Sequence, residues 1–234
     1  MHKRPTNFYF LGERAYVHGP TILGAFLGLV DQLEDLPGSS QGATILTCRF
    51  REEARENGLL VCWTSQGARP NLDASQVCTT ATIQGVARTY GLALVRQEPF
   101  PITRRMPYDE SVYVAEVSPD GDFGGRGTLT GIRTKKDLIR AIVAFNKMTH
   151  DQALRRKAEP GSYRWSFSSV DGLRLPDIPS QDPGQTDSQD AKIELARINV
   201  WSIEGNMHSL SQGSLQIPGS ERCAFRIGFT GQPK

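Results

Sequence analysis

Apolar residues along this chain change period twice, and each change marks the passage from a helix into a run of strands. After a short strand-like stretch from Phe8 to Phe10, the residues Ile22, Leu23, Phe26, Leu29, Val30 and Leu33 recur at helical spacing. This predicts a helix from Pro20 to about Leu36. Gly24 and Gly28 lie inside it and cost roughly 1 kcal/mol each relative to alanine, so a sheet packed directly on the helix is the expected compensation. Pro37-Gly38-Ser39-Ser40 stops the helix, and the pattern becomes alternating. Ala43 to Ala54 then reads as a strand, and Gly58 to Ser65 as its hairpin partner across Arg55-Glu56-Asn57-Gly58. Val77 to Val95 reads as one long strand or a bent pair.

The second half repeats this order. Ser111 to Val117 reads as a strand, and Thr134-Lys135-Lys136-Asp137 opens a helix with a threonine N-cap and an acidic residue three positions on. Leu138, Ile139, Ile142, Val143, Phe145 and Met148 form its apolar face, with Thr149, His150 and Asp151 at its end. Strands follow at Ser162 to Ser169, Ala191 to Glu204, His208 to Ile217 and Glu221 to Thr230. The segment from Ile22 to Val30 matches that from Leu138 to Asn146 in pattern but hardly in identity, which hints at duplication. Pro99, Pro101 and Pro107 mark a crossing between two units, 1–100 and 101–234. Residues 176–190 hold almost nothing to bury and read as a mobile loop in the second unit.

Composition narrows the function classes. With 234 residues and 38% hydrophobic content, the chain can build one large core or two small ones. A net charge of +2, from 27 basic and 25 acidic residues, lacks the electrostatic footprint of a nucleic-acid binder. No apolar run reaches the length of a membrane span, and the start Met-His-Lys-Arg-Pro-Thr-Asn lacks a signal-peptide core, so the expected location is the cytoplasm. Cys48, Cys62, Cys78 and Cys223 show no paired short spacing and read as reduced thiols. Gly121 to Gly127 is not followed promptly by a helix, so it is no nucleotide loop. Neither a metal nor a cofactor is expected. Trp63, Trp165 and Trp201 read as core or sheet-face aromatics, and His150 as a residue at a helix C-terminus.

The stretch Tyr16-Val17-His18-Gly19-Pro20-Thr21-Ile22-Leu23-Gly24-Ala25-Phe26-Leu27 resembles the hot-dog superfamily of acyl-thioester hydratases, dehydratases and thioesterases. There a His-Gly or similar turn introduces the central helix. The motif is a few residues long, whereas the element order covers nearly the whole chain. Taken together, the halves resemble the double hot-dog enzymes. The implied fold class is α+β, with two tandem hot-dog units, each a long central helix wrapped by a curled antiparallel sheet.

The resemblance also implies a site. The acyl chain would enter between the units, and its thioester carbonyl would meet a backbone N–H where a central helix begins, because those amides have no intrahelical acceptor. Here that region is Gly19, Pro20 and Thr21, and since proline has no N–H the donor is Gly19, Thr21 or Ile22. Dehydration of a 3-hydroxyacyl thioester needs a base and an acid, which the superfamily supplies as histidine with aspartate or glutamate. His18 is the candidate base. Asp31, more than three turns further along the same helix, and Asp137, from the other half, are the candidate acids. Arg14 and Tyr16 are candidate substrate-binding residues. The implied partner is an acyl carrier protein or a coenzyme A thioester, which Arg155-Arg156-Lys157 with Arg133, Lys135 and Lys136 would dock. A homodimer or a complex with another biosynthetic protein stays open.

The chain departs from the familiar patterns. It has neither the His-Phe-Pro opening of bacterial dehydratases nor the Asp-x-x-x-x-His of hydratases at its usual place, and no acidic partner close to His-Gly. The expectation is a 3-hydroxyacyl dehydratase of polyketide or fatty-acid type. The alternatives are a thioesterase on the same scaffold and a non-catalytic protein that binds an acyl chain or a partner.

Overall fold

The computed structural model describes residues 1–34, 42–120, 124–155, 163–176, 178 and 189–233. The first half holds β1 (His2–Pro5), β2 (Phe10–Leu11), α1 (Gly19–Leu33), β3 (Ala43–Phe50), β4 (Glu56–Thr64), β5 (Val77–Gln84) and β6 (Thr89–Pro101). Next come β7 (Arg105–Met106), β8 (Val114–Pro119), β9 (Gly125–Ile132) and α2 (Lys135–Arg155). The chain ends with β10 (Tyr163–Leu175), β11 (Gln189–Ile203), β12 (Asn206–Gln216) and β13 (Cys223–Pro233). Eleven strands form one antiparallel sheet in the order β1-β4-β6-β5-β3-β10-β13-β12-β11-β9-β8. Strands from residues 2–101 occupy one end of the sheet and strands from residues 114–233 the other. They meet where β3 pairs with β10, from Arg49 opposite Ser169 to Ala43 opposite Leu175. β2 and β7 form a small parallel pair, which returns the crossing segment to the first half.

Both helices lie against this sheet and against each other. Buried side chains from the two halves form one continuous core, with Phe26 of α1 and Phe145 of α2 fully inside it. Each contributes roughly 2–3 kcal/mol by removal from water. Thr134 Oγ1 accepts from the Asp137 N–H at 3.1 Å and donates to Asp137 Oδ2 at 2.8 Å, which is the expected capping arrangement at the start of α2. At the far end of α1, Glu34 accepts from the N–H groups of Val86, Ala87 and Arg88 and so clamps the turn between β5 and β6.

Several local expectations are corrected. The strand from Gly58 is not the partner of the strand from Ala43, since β4 pairs with β1 and β6 while β3 pairs with β5 and β10. Asn57-Gly58 sits inside β4 at a register shift rather than in a turn: the Asn57 carbonyl oxygen of its side chain accepts from Phe8 N–H at 2.6 Å, and Gly58 N–H donates to Thr6 Oγ1 at 2.7 Å. The segment Val77 to Val95 is a hairpin of two strands. Gly24 lies against the Lys136 stem of α2, not a sheet, and Gly28 has nothing near it. The glycines that let α2 approach the sheet are in β9, where a Cβ on Gly127 would come within 2.3 Å of the Phe145 ring. Glycine content hid this strand in the sequence. α2 continues to Arg155, so His150 lies inside the helix rather than at its end. The expected loop at 176–190 falls, apart from its margins, outside the described residues, as do Arg156 and Lys157.

Candidate active site between the two halves

The loop before α1 is pinned at Val17, whose N–H donates to Ala54 carbonyl at 2.7 Å, and at Arg14, whose carbonyl accepts from Arg105 at 3.0 Å. This places His18 as the residue that caps α1, with extended backbone and no capping hydrogen bond from its side chain. Thr21 and Ile22 N–H groups both donate to the His18 carbonyl, at 2.8 and 3.3 Å, and Pro20 has no N–H. Of the three donors expected from the sequence, Gly19 therefore remains, its N–H without a partner among the described residues. Gly19 is required by packing: a Cβ there would lie 2.6 Å from Phe167 Cδ1 and 3.2 Å from Phe50 Cζ.

His18 and Gly19 line a cavity of about 180 Å³. Its walls come from both halves: Phe50 beside α1, Val143 and Lys147 of α2, and the aromatic rings of Trp165, Phe167 and Phe229. Exposed Arg51, Glu52 and Gln232 form its rim.

His18 is buried, and its Nδ1 has no hydrogen-bond partner among the described residues. Burial, then the charges of Arg14, Arg140 and Lys147, hold the imidazole well below its ordinary pKa, so it is neutral at pH 7. Its ring meets the Tyr108 ring at 5.2 Å, and the Arg14 guanidinium stands over that same ring at 5.0 Å. Burial pushes the Tyr108 phenol far up, so it keeps its proton, and its hydroxyl has no partner among the described residues. Glu110 binds Arg14 through one oxygen at 2.5 Å and Lys147 through the other at 2.8 Å.

The candidates from the sequence fare differently. His18, Gly19, Arg14 and Tyr16 come together around the cavity. Thr21 is buried beside them but is not part of the lining. Asp31 sits in the last turn of α1, 3.8 Å from Lys135, and Asp137 is occupied as the acidic member of the α2 cap with Arg140 3.6 Å away. Neither lines the cavity with His18. The carboxylates that do are Glu52, Glu53 and Glu110, each in an ion pair. Glu110 and Lys147 lie in no motif, and the tertiary fold alone brings them to His18. Among the described residues no group of three or more His, Cys, Asp or Glu is placed to hold a metal, and no helix is long and apolar enough to cross a membrane.

No protein-family model matches the chain, and neither does any curated protein. Solved structures do. The dehydratase domain of PpsC from Mycobacterium tuberculosis, in complex with C12:1-CoA, is 10% identical over 94% of this chain and 85% of its own, with a TM-score of 0.44. The acyl-CoA thioesterase II TesB2 from Mycobacterium marinum is 11% identical over 92% and 90%, with a TM-score of 0.43. A bifunctional dehydratase-cyclase domain in ambruticin biosynthesis is 10% identical over 94% and 82%, with a TM-score of 0.45. Dehydratases and thioesterases, both named by the resemblance at Tyr16 to Leu27, are thus among the similar structures. Likeness at this level transfers no activity and no residue role.

Proposed function

We propose that the chain is a double hot-dog protein, with one unit per half, that acts on an acyl thioester bound in the cavity between them. The reaction we assign is dehydration of a 3-hydroxyacyl thioester on an acyl carrier protein or coenzyme A. The observation that carries the reading is the neutral His18 imidazole beside the Gly19 N–H, unpartnered among the described residues, on the wall of one cavity. Gly19 would donate to the thioester carbonyl and stabilise the enolate charge that develops there. His18 takes the α-proton, the C–H electron pair forms the new double bond, and the β C–O bond breaks. The departing hydroxide collects the proton from the imidazolium and leaves as water, restoring neutral His18. The environment that disfavours protonated His18 makes the imidazolium a stronger acid and the neutral ring a weaker base, so enolate stabilisation by the Gly19 N–H has to carry the proton abstraction while the same histidine serves both steps without Asp31 or Asp137.

A second reading, thioester hydrolysis, draws on the same two groups, since each carboxylate lining the cavity among the described residues is ion-paired and His18 is left as the base. Neutral His18 would then deprotonate water, and the same Gly19 N–H would hold the tetrahedral oxyanion. Intact-mass spectrometry of a 3-hydroxyacyl carrier protein separates the readings. Loss of one water that vanishes in His18→Ala supports dehydration, and release of the free carrier thiol moves the assignment to hydrolysis. An unchanged carrier across several chain lengths removes both.

A further inference from the structure

Behind the aromatic wall of the cavity lies a buried polar group that the chemistry above does not use. Val143 and Lys147 of α2 line the cavity, and Asn146 and His150 lie on the same helix beside them. Trp165 and Phe229 face the cavity, yet their rings also meet the His150 ring, at 5.6 and 5.4 Å. Asn146 is fully buried, and both polar atoms of its amide lack a partner among the described residues. His150 is 1% exposed. Its Nδ1 lies 2.8 Å from the Asn146 carbonyl, so in the neutral ring Nδ1 donates and Nε2, which has no partner among the described residues, is left as an acceptor. On β12, Ser209 stands opposite Phe229 and Ser211 opposite Ile227, which puts both serines on the sheet face that carries the Phe229 ring. Their hydroxyls are buried and also lack partners among the described residues. An apolar acyl terminus would leave these donors and acceptors unpaired, whereas a chain bearing an oxygen would pair them.

We propose that Asn146, His150, Ser209 and Ser211 form a polar end to the acyl site, which selects chains carrying a hydroxyl or keto oxygen beyond the reacting carbons over plain alkyl chains. This rests on the thioester reading above and narrows its substrate class. The Trp165 and Phe229 rings are the boundary between the reacting end and this polar end. Burial holds His150 neutral, with its pKa down to about 4, so the group recognises an uncharged oxygen rather than a carboxylate.

The test is calorimetric binding of acyl-pantetheine amides, in which nitrogen replaces the reactive sulfur, so that no turnover intervenes. One series carries plain alkyl chains, and a second carries a hydroxyl walked outward carbon by carbon from the carbon after the β-position. At one position the hydroxyl should tighten binding at least tenfold over the alkyl chain of equal length. In Asn146→Leu and in Ser211→Ala that ratio should fall towards one. Equal or weaker binding of every hydroxylated chain by the unaltered protein overturns the polar-end inference and leaves thioester binding standing. If no amide binds, the thioester reading falls and this inference falls with it.

Discussion

Replacing Gly19 with alanine tests the packing and the chemistry of the site together. The added Cβ would stand 2.6 Å from Phe167 Cδ1, about 0.8 Å inside ordinary van der Waals contact, which begins near 3.4 Å. Phe50 Cζ, at 3.2 Å, narrows the space further. Either the start of α1 or the Phe167 ring must move, and overpacking of this kind costs about 1–3 kcal/mol. For a chain of this length each kcal/mol lowers the melting point by about 2–4 °C. The Gly19 N–H moves with the helix start, and displacing a donor by most of an ångström should lower kcat about a hundredfold while KM changes little. Thermal melts and steady-state kinetics on the thioester identified by mass spectrometry provide the readouts. Adding Phe167→Leu to Gly19→Ala should recover part of both losses, with a coupling of about 0.5–3 kcal/mol in the double-mutant cycle. A Gly19→Ala protein that melts and turns over like the original would refute the close-packing argument and the donor assignment at once.

Other expectations follow from the charges and caps. His18 and His150 are both neutral in the fold well below the ordinary value of 6.5, so between pH 6.5 and about 4 the unfolded chain binds more protons than the folded one. Stability therefore falls as pH falls through that window, with His150 alone contributing a loss of roughly 3 kcal/mol by pH 4. Urea titrations at stepped pH should show a shallower slope in His150→Gln, and an unaltered slope would refute the assignment. The acid limb of kcat/KM should lie well below 6.5, because His18 stays a free base there; a limb at the ordinary histidine value contradicts the effect of its burial. Glu110→Gln removes the anion shared by Arg14 and Lys147 and should cost about 1–3 kcal/mol of stability while weakening substrate binding, read as KM or Kd. Asp137→Ala keeps the backbone N–H that Thr134 caps but loses the carboxylate half of the arrangement, so it should lower stability by about 0.3–1.5 kcal/mol and leave kcat as it was, whereas a large fall in kcat would return Asp137 to the chemistry.

The two helices and the Thr134–Asp137 cap were legible in the sequence because helical periodicity and capping act over a few residues. So was the arrival of His18 at a helix start, since Pro20 suits the first turn and His-Gly precedes it. Strand partners were not legible. Asn57-Gly58 has the composition of a hairpin turn, yet Thr6 and Phe8, some fifty residues earlier, take up its polar groups and keep it within a strand. Glycine gave the same lesson: its local cost in α1 is set by the backbone, but whether anything packs against it depends on distant chain. Lys136 meets Gly24, nothing meets Gly28, and the close approaches to the sheet are made at Gly19 for α1 and at Gly127 for α2.

The candidate site divides along the same line. His18 and Gly19 are sequence neighbours, and the chemistry of their types could be read where they stand. Glu110, Lys147, Tyr108 and the Trp165, Phe167 and Phe229 walls are scattered over the second half and share no spacing. Pairing of β3 with β10 and packing of α1 on α2 bring them to His18. Asp31 and Asp137 lie away from the cavity that His18 lines, one beside Lys135 and the other in a helix cap. Local propensity and periodicity determine which elements form, since they depend on neighbouring residues. Burial, charge and hydrogen-bond satisfaction at a site are sums over side chains that only the tertiary fold brings within a few ångströms.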